Sequence, residues 1–277
     1  MLVCLNGKFI PHEDANLSVT DGAFLFGDTL FETLKARGNK ILLQREHLDR
    51  LELSAKLIDM PCDRVRIETS LQQLANGLTA KASRIRLTIG RGKHQGLAFP
   101  DPQHSWFLLT AVPFCEIDEV EREKGATCIT APNCRVNPLN HLPQMKRGNY
   151  TDCLYAANYA QKKGAREALF TDTENNLLEG STSNLFVISD QKLITPPLGS
   201  LVLAGTMRRQ VIDAAIELGY LVCEQKIPRS ALVTADEAFI CNALTDILPI
   251  SSLDGQPLPR GTKWKQLQKT LQARIET

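Results

Sequence analysis

Lys146 and Glu179 are the residues from which chemistry can be argued first. The lysine stands in PQMKRGNY, just ahead of a helical run, and the glutamate ends the strand-like LLEG ahead of STSN. One offers an amine that can bond a carbonyl, and the other a carboxylate that can keep a nitrogen protonated. Three further features could hold an anion. Gly205-Thr206-Met207 opens a helical stretch, where a small residue lets an anion approach free amides at the positive end of the helix dipole. Asn242-Ala243-Leu244 follows the strand-like EAFIC, and amides can converge in such a turn. Arg50 lies off the apolar stripe of its own helix. Each has an ordinary alternative: a solvated Lys, Glu or Arg, a plain helix cap, a strand exit. Other chemistries find no support, since GxGxxG, GxxxxGK[ST] and GxSxG are all missing and Gly90-Arg91-Gly92 is too short to cradle a pyrophosphate.

The elements that must position these residues follow from periodicity and turn chemistry. Residues 2–10 alternate around Asn6-Gly7, which predicts a hairpin with a two-residue turn. A second hairpin is expected over 29–44 around Arg37-Gly38-Asn39, then helices over 45–58 and 65–75, then strands over 83–90 and 105–112. The charged, poorly periodic EIDEVEREKG at 116–125 reads as a linker, dividing a small α/β domain at 1–119 from a larger one at 120–277. Pro138 and Pro143 disfavour helix before them, so Lys146 is presented from extended chain. The helix beyond it carries Tyr150, Cys153, Leu154 and Ala157 on one stripe and closes at Gly164. Strands are expected in EALFTD, LLEG, NLFVIS and KLITP, a helix over 206–218, a last strand at 237–241, and a polar helix from Thr262.

Composition narrows the partners. Thirty-two basic against 31 acidic residues give a net charge of +1, so no overall field favours nucleic acid or an anionic membrane. Eight cysteines without a CxxC pair, and five histidines without ligand spacing, predict no metal site and a reducing, cytoplasmic setting. No apolar segment reaches 18 residues, and the N-terminal run is too short for a signal peptide.

One ligand would explain all the weak signals together. Pyridoxal 5'-phosphate needs a lysine for its aldehyde, a carboxylate for its ring nitrogen, and amides with an arginine for its phosphate. The motifs NGKFIP (6–11), FGDTLFET (26–33), EHLDRL (46–51), KRGN (146–149), LLEGSTSNLFVI (177–188), LITPPL (193–198), LAGTMR (203–208) and ADEAFICNALTDILPI (235–250) occur in this order. In that order the chain resembles the fold type IV pyridoxal phosphate enzymes, the class IV aminotransferase family. The resemblance implies an α/β sandwich followed by a larger α/β pseudo-barrel, and a homodimer in which the loop near 91–98 reaches towards the neighbouring active site. It makes Lys146 the lysine bonded to the cofactor, Glu179 the partner of the pyridine nitrogen, and Arg50 the phosphate arginine. The main chain at Thr206, Met207 and Leu244 would complete the phosphate cup.

The departures select a member. Aminotransferases of the family usually carry Thr where this chain has Met207, and Thr-rich turns where it has Asn242-Ala243-Leu244. Both forms, and Asn137-Pro138, look like 4-amino-4-deoxychorismate lyase, which releases pyruvate and leaves 4-aminobenzoate, a precursor in folate biosynthesis. Phe31, Gly96 and Ala98 stand where D-amino acid aminotransferases hold a carboxylate trap. Glu32 points the other way, being common in the aminotransferases. The expected function is therefore the lyase, with a branched-chain or D-amino acid aminotransferase as alternative. A non-catalytic vitamin-binding protein is the third reading. Lys146, freed by the substrate amine, would take the proton from the amine-bearing carbon, and Arg91, Lys93 and Arg135 are candidates for the substrate carboxylates.

Overall fold

The structure is a computed structural model that describes residues 2–276. Contacts divide the chain into two compact units, Met1–Glu116 with Met145–Tyr150, and Ile117–Gln144 with Thr151–Thr277. The segment holding Lys146 thus belongs to the first unit, although a division at 119/120 assigns it to the second.

In the first unit β1 (Leu2–Leu5) and β2 (Lys8–Ile10) form the expected hairpin, with Asn6 and Gly7 at φ 48° and 76°. A short α1 (Gly22–Phe26), which periodicity does not betray over five residues, precedes β3 (Thr29–Arg37) and β4 (Lys40–Ile41). Then come α2 (Gln44–Leu57), α3 (Arg64–Asn76), β5 (Ala82–Gly90) and β6 (Trp106–Pro113). The antiparallel sheet runs β2-β1-β6-β5-β3-β4. Period-2 alternation buries Ile85, Leu87 and Ile89 and exposes Arg84 and Arg86. The helices bury Leu48, Leu51 and Ala55 and Ile67, Leu71 and Leu74, and burying one such leucine contributes about 2 kcal/mol.

The second unit opens on the charged run. That run, in which the first unit ends at Glu116, is not irregular throughout: it contains α4 (Glu119–Lys124), because Asp118 caps the helix by accepting from the Glu121 N–H at 2.7 Å. Its Arg122 points inward and donates to the carbonyls of Thr245 and Ile247. After β7 (Ala126–Thr130) and the loop comes α5 (Thr151–Lys162). The apolar stripe of α5 is shifted from expectation: Cys153, Ala156 and Ala160 are buried while Leu154 is exposed. Small residues face the neighbouring strand, and the larger leucine is turned out. The chain continues through β8 (Glu167–Thr171), β9 (Asn176–Gly180), β10 (Asn184–Ser189), β11 (Lys192–Thr195), α6 (Thr206–Glu217), β12 (Leu221–Glu224), β13 (Ile227–Pro228) and α7 (Arg229–Thr234). The strand expected to be last, β14 (Glu237–Asn242), is followed by β15 (Asp246–Leu253) and β16 (Gln256–Pro257), because NALT is a reverse turn. The terminal α8 (Lys263–Ile275) buries Trp264, Leu267, Leu271 and Ile275, so it is amphipathic rather than polar.

Strand order in this unit is β12-β11-β10-β14-β15-β7-β8-β9-β13. Because β9 also pairs β10, at Glu179 and Asn184, the six strands β10-β14-β15-β7-β8-β9 close on themselves. The result is the expected α/β pseudo-barrel, filled by Leu169, Leu177, Leu185, Val187, Ile240 and Leu248. Among the described residues no helix is long and apolar enough to cross a membrane.

Glu116, at the end of the first unit, accepts from Lys35 Nζ at 3.0 Å and Arg37 Nη2 at 2.8 Å. Partial burial alone would raise its pKa, but the Arg37 hydrogen bond and the Lys35 charge outweigh that and hold it at about 2, below the ordinary 4.5. A depressed folded pKa means stability that is complete above the unfolded value and lost as pH falls through the folded one. Glu116→Gln is expected to lower unfolding free energy by about 2 kcal/mol at pH 7, since it removes the carboxylate that Arg37 and buried Lys35 share. Urea titrations should show the gap to wild type closing between pH 4.5 and pH 2, and a gap independent of pH would refute the assignment.

Candidate active site

In the first unit, β5 occupies one edge of β3 along its whole length, while β4 covers the other edge only at Ala36 and Arg37. The uncovered part of that edge takes the lysine segment. The Phe31 N–H donates to the Lys146 carbonyl at 2.9 Å, the Gly148 N–H to the Thr29 carbonyl at 2.7 Å, and Leu30 and Arg147 form a bridge. Lys146 is therefore held in extended chain, as its prolines predict. A Cβ at residue 148 would lie 1.8 Å from Thr29 Oγ1, so the close approach requires the glycine of KRGN.

Lys146 Nζ lies 4.7 Å from the centroid of the Phe31 ring and 5.7 Å from that of Tyr150, and the two rings meet edge to face at 5.4 Å. The Arg86 guanidinium stacks over Phe31 at 3.5 Å. The lysine thus works beside two aromatic rings and one arginine, which the sequence reading did not single out. Alternation along β5 places Arg86 with Arg84 on one face of the strand, and only contact with Phe31 tells it apart.

Arg50 is not a solvated charge. Its Nε donates to Glu32 Oε1 at 2.8 Å and its Nη2 to Oε2 at 2.5 Å, while His47 Nδ1 sits 2.7 Å from Oε2. Burial would push the Glu32 pKa up, yet the Arg50 charge and the His47 hydrogen bond hold it down at about 2. Burial pushes His47 down, against the pull of Glu32, so the imidazole is neutral and donates through Nδ1. The spacing of His47 and Arg50 in EHLDR, three apart on one helix face, is the signal that pairs them.

In the second unit Glu179 lies on β9 at the point where the barrel closes. Its Oε2 accepts from the Leu203 N–H at 2.9 Å and from Asn184 Nδ2 at 3.2 Å, and its Oε1 pairs with Arg135 Nη2 at 3.0 Å. Arg135 also donates to Asp152 at 2.8 Å. Arg91, in the first unit, pairs with Asp28 at 2.9 Å and donates to the carbonyls of Ile58 and Asp59. Both arginines expected to meet substrate carboxylates are thus engaged within the protein.

The turn that holds Glu179 through Leu203 runs directly into α6, whose N-cap is Gly205 and whose first turn carries no acidic residue and no side-chain cap. A Cβ at residue 205 would lie 2.0 Å from Asn184 Oδ1. Thr206 and Met207 follow, both buried, so their backbone stands at the positive end of the helix beside the Glu179 network. Because Asn184 pairs with both Glu179 and Cys241, the turn after β14 lies at this same end of the barrel. Its Leu244 N–H differs from expectation: it donates to Asn242 Oδ1 at 2.9 Å, which also accepts from the Thr245 N–H and hydroxyl. The side-chain roles of Asn242 and Asn184 escape sequence reading because an amide announces no partner.

A family model described as amino-transferase class IV matches residues 29–253. The putative branched-chain-amino-acid aminotransferase of Methanocaldococcus jannaschii is 33% identical over 263 residues, 92% of this chain and 89% of that protein. The T.th. branched-chain amino acid aminotransferase complexed with N-(5'-phosphopyridoxyl)-L-glutamate has a TM-score of 0.88 at 28% identity, covering 99% of this chain and 93% of the other. The 4-amino-4-deoxychorismate lyase of Pseudomonas aeruginosa has a TM-score of 0.88 at 27% identity, covering 100% of both chains.

Each unit separately carries groups that fit part of a phosphorylated pyridine aldehyde: the first an amine beside aromatic rings, the second a buried carboxylate and a glycine-capped helix start with no acid in its first turn. Gly205→Ala must displace the Asn184 amide that holds Glu179. Absorbance titration of the apo-protein with pyridoxal 5'-phosphate is expected to show affinity reduced about tenfold, the equivalent of about 1.4 kcal/mol. Wild-type affinity would show that the helix start plays no part.

Proposed function

The chain belongs to the class IV amino-transferase family and takes pyridoxal 5'-phosphate as cofactor, and on that premise we propose that it is an aminotransferase for amino acids with apolar side chains, the branched-chain ones first. The observation that carries this reading is the setting of Lys146. Two aromatic rings suit an apolar side chain, and Arg86 offers a cation for one carboxylate. A substrate with two carboxylates would call on Arg91 and Arg135, which are held by Asp28, Asp152 and Glu179. The aminotransferase of M. jannaschii, similar over 92% of this chain, supports the same reading.

The roles follow from the side chains. Lys146 would hold the cofactor covalently and, once displaced by the substrate amine, take the proton from the amine-bearing carbon. Glu179, kept in place by Leu203, Asn184 and Arg135, would face the pyridine nitrogen. Arg50 and the amides of Thr206 and Met207 would bind the phosphate, with the Leu244 N–H adding only a bond shared with Asn242. When bound, the cofactor supplies a sink for the electrons left on that carbon.

A second reading keeps its own support. Met207 and Asn242-Ala243-Leu244, together with the end-to-end match to the P. aeruginosa lyase, favour 4-amino-4-deoxychorismate lyase. One assay separates them. The cofactor-loaded protein is expected to convert L-leucine, L-valine or L-isoleucine with 2-oxoglutarate into the branched 2-oxo acid and glutamate. Pyruvate and 4-aminobenzoate from aminodeoxychorismate, without oxo acid formation, would replace this reading by the lyase, and turnover of D-alanine alone would replace it by a D-amino acid enzyme. Lys146→Ala is expected to abolish turnover and the visible absorbance, and an active, yellow variant would sink the lysine assignment.

We propose a homodimer as well. Phe24, Phe26, Leu97 and Phe99 are all exposed in the first unit, on α1 and on the loop tied to its start by the Gly22 N–H to the Gly92 carbonyl and the His94 N–H to the Thr20 carbonyl. Such a cluster is larger than isolated surface residues explain. Analytical ultracentrifugation should give twice the 30.7 kDa chain mass, and Phe24→Asp with Leu97→Asp should halve it. A wild-type monomer at micromolar concentration would refute the proposal.

A further inference from the structure

Glu32 is the most fully satisfied buried acid of the first unit that the chemistry above does not use. It is 1% exposed in the middle of β3, and both oxygens are engaged, Oε1 by Arg50 Nε and Oε2 by Arg50 Nη2 and His47 Nδ1. Two bonds from one guanidinium to one carboxylate fix the plane of the arginine, which a single contact would leave to rotate.

Charge attraction does not explain this arrangement. A buried Glu32 carboxylate cancels the Arg50 charge, and a lone arginine would draw a phosphate more strongly. What the pair supplies is direction. His47 adds a third donor to the carboxylate without adding charge, since burial, Arg50 and Lys146 all favour its neutral form. The same strand also reaches the lysine: Phe31, next to Glu32, donates its N–H to the Lys146 carbonyl at 2.9 Å. Successive side chains of a strand point to opposite faces, so β3 can grip α2 through Glu32 while its backbone holds the lysine segment.

We propose that Glu32 is the positioning residue for the phosphate end of the cofactor, fixing the Arg50 guanidinium by a two-bond fork braced by His47, so that β3 sets both the arginine and the lysine. This rests on the reading of Arg50 as the phosphate contact. The residue acts through Arg50 and touches neither substrate nor cofactor.

The test compares pyridoxal 5'-phosphate with pyridoxal, which lacks the phosphate, by absorbance titration of the full-length apo-protein. The readout is the ratio of the two dissociation constants, which a general loss of stability does not change. Arg50→Ala should collapse the ratio towards one. Glu32→Gln removes a negative charge and would raise the ratio if charge governed binding; we expect it to fall about tenfold, as lost orientation does. Glu32→Asp keeps the charge but is one methylene too short to make both bonds, and should also lower the ratio, with pyridoxal affinity within about twofold of wild type. If Arg50→Ala collapses the ratio while the Glu32 variants keep or raise it, the positioning role is overturned and the phosphate contact stands. An unchanged ratio in Arg50→Ala overturns the phosphate contact itself, and the positioning role with it. Should Glu32→Gln fail to fold, Glu32→Asp decides the matter.

Discussion

The second unit depends on one closure. Its six barrel strands meet where Glu179 of β9 pairs Asn184 of β10, and a single register pair joins those two strands. So short a seam needs side-chain support, and the two residues provide it: Asn184 donates to Glu179 and to the Leu203 carbonyl, and Leu203 returns its N–H to Glu179. The adjoining STS loop is fastened by Glu167, which accepts from the hydroxyls of Ser181, Thr182 and Ser183. A carboxylate built into a seam cannot wander. The group best suited to face a pyridine nitrogen is also the group that closes the barrel, and α6 starts just beyond Leu203.

In the first unit the corresponding constraint is an incomplete strand edge. Because β4 is only two residues long, half of β3 is left with unpaired backbone groups, and an exposed edge of that kind invites another strand. Lys146–Gly148 fills it. The lysine segment, distant in sequence, therefore belongs to the first unit for a hydrogen-bonding reason, and no periodicity within 116–150 could have shown it.

What sequence reading reached, it reached through local chemistry. Asn6-Gly7 specified its hairpin because both tolerate positive φ, the prolines specified extended chain because they bar helix for the residues before them, and Gly205 marked a helix start because its missing side chain leaves room there. It missed what depends on a distant partner. Leu154 looked like a core residue until α5 turned its alanines inward, and Arg122 passed as part of a charged linker because the carbonyls that bind it lie more than a hundred residues away. The role of Glu32 was hidden for the same reason: a strand glutamate declares its meaning only when α2 brings His47 and Arg50 to it.

The residues that first suggested a lyase also change weight once their surroundings are known. Met207 and Asn242-Ala243-Leu244 read as lost hydroxyl donors, which implies a poorer phosphate cup. Yet the Met207 side chain is buried, so the residue offers an anion only the backbone that any residue at the start of α6 would offer. At the other corner Asn242 Oδ1 gathers the N–H of Leu244 and both the N–H and hydroxyl of Thr245, ordering the turn from within. Both departures thus also bear on how the barrel end is built. Discrimination between reactions has to come from groups that meet the substrate's own carbons and carboxylates. Around Lys146 the groups proposed for that task are Phe31, Tyr150 and Arg86, whose two rings and stacked guanidinium underlie the reading proposed above of one carboxylate and an apolar side chain.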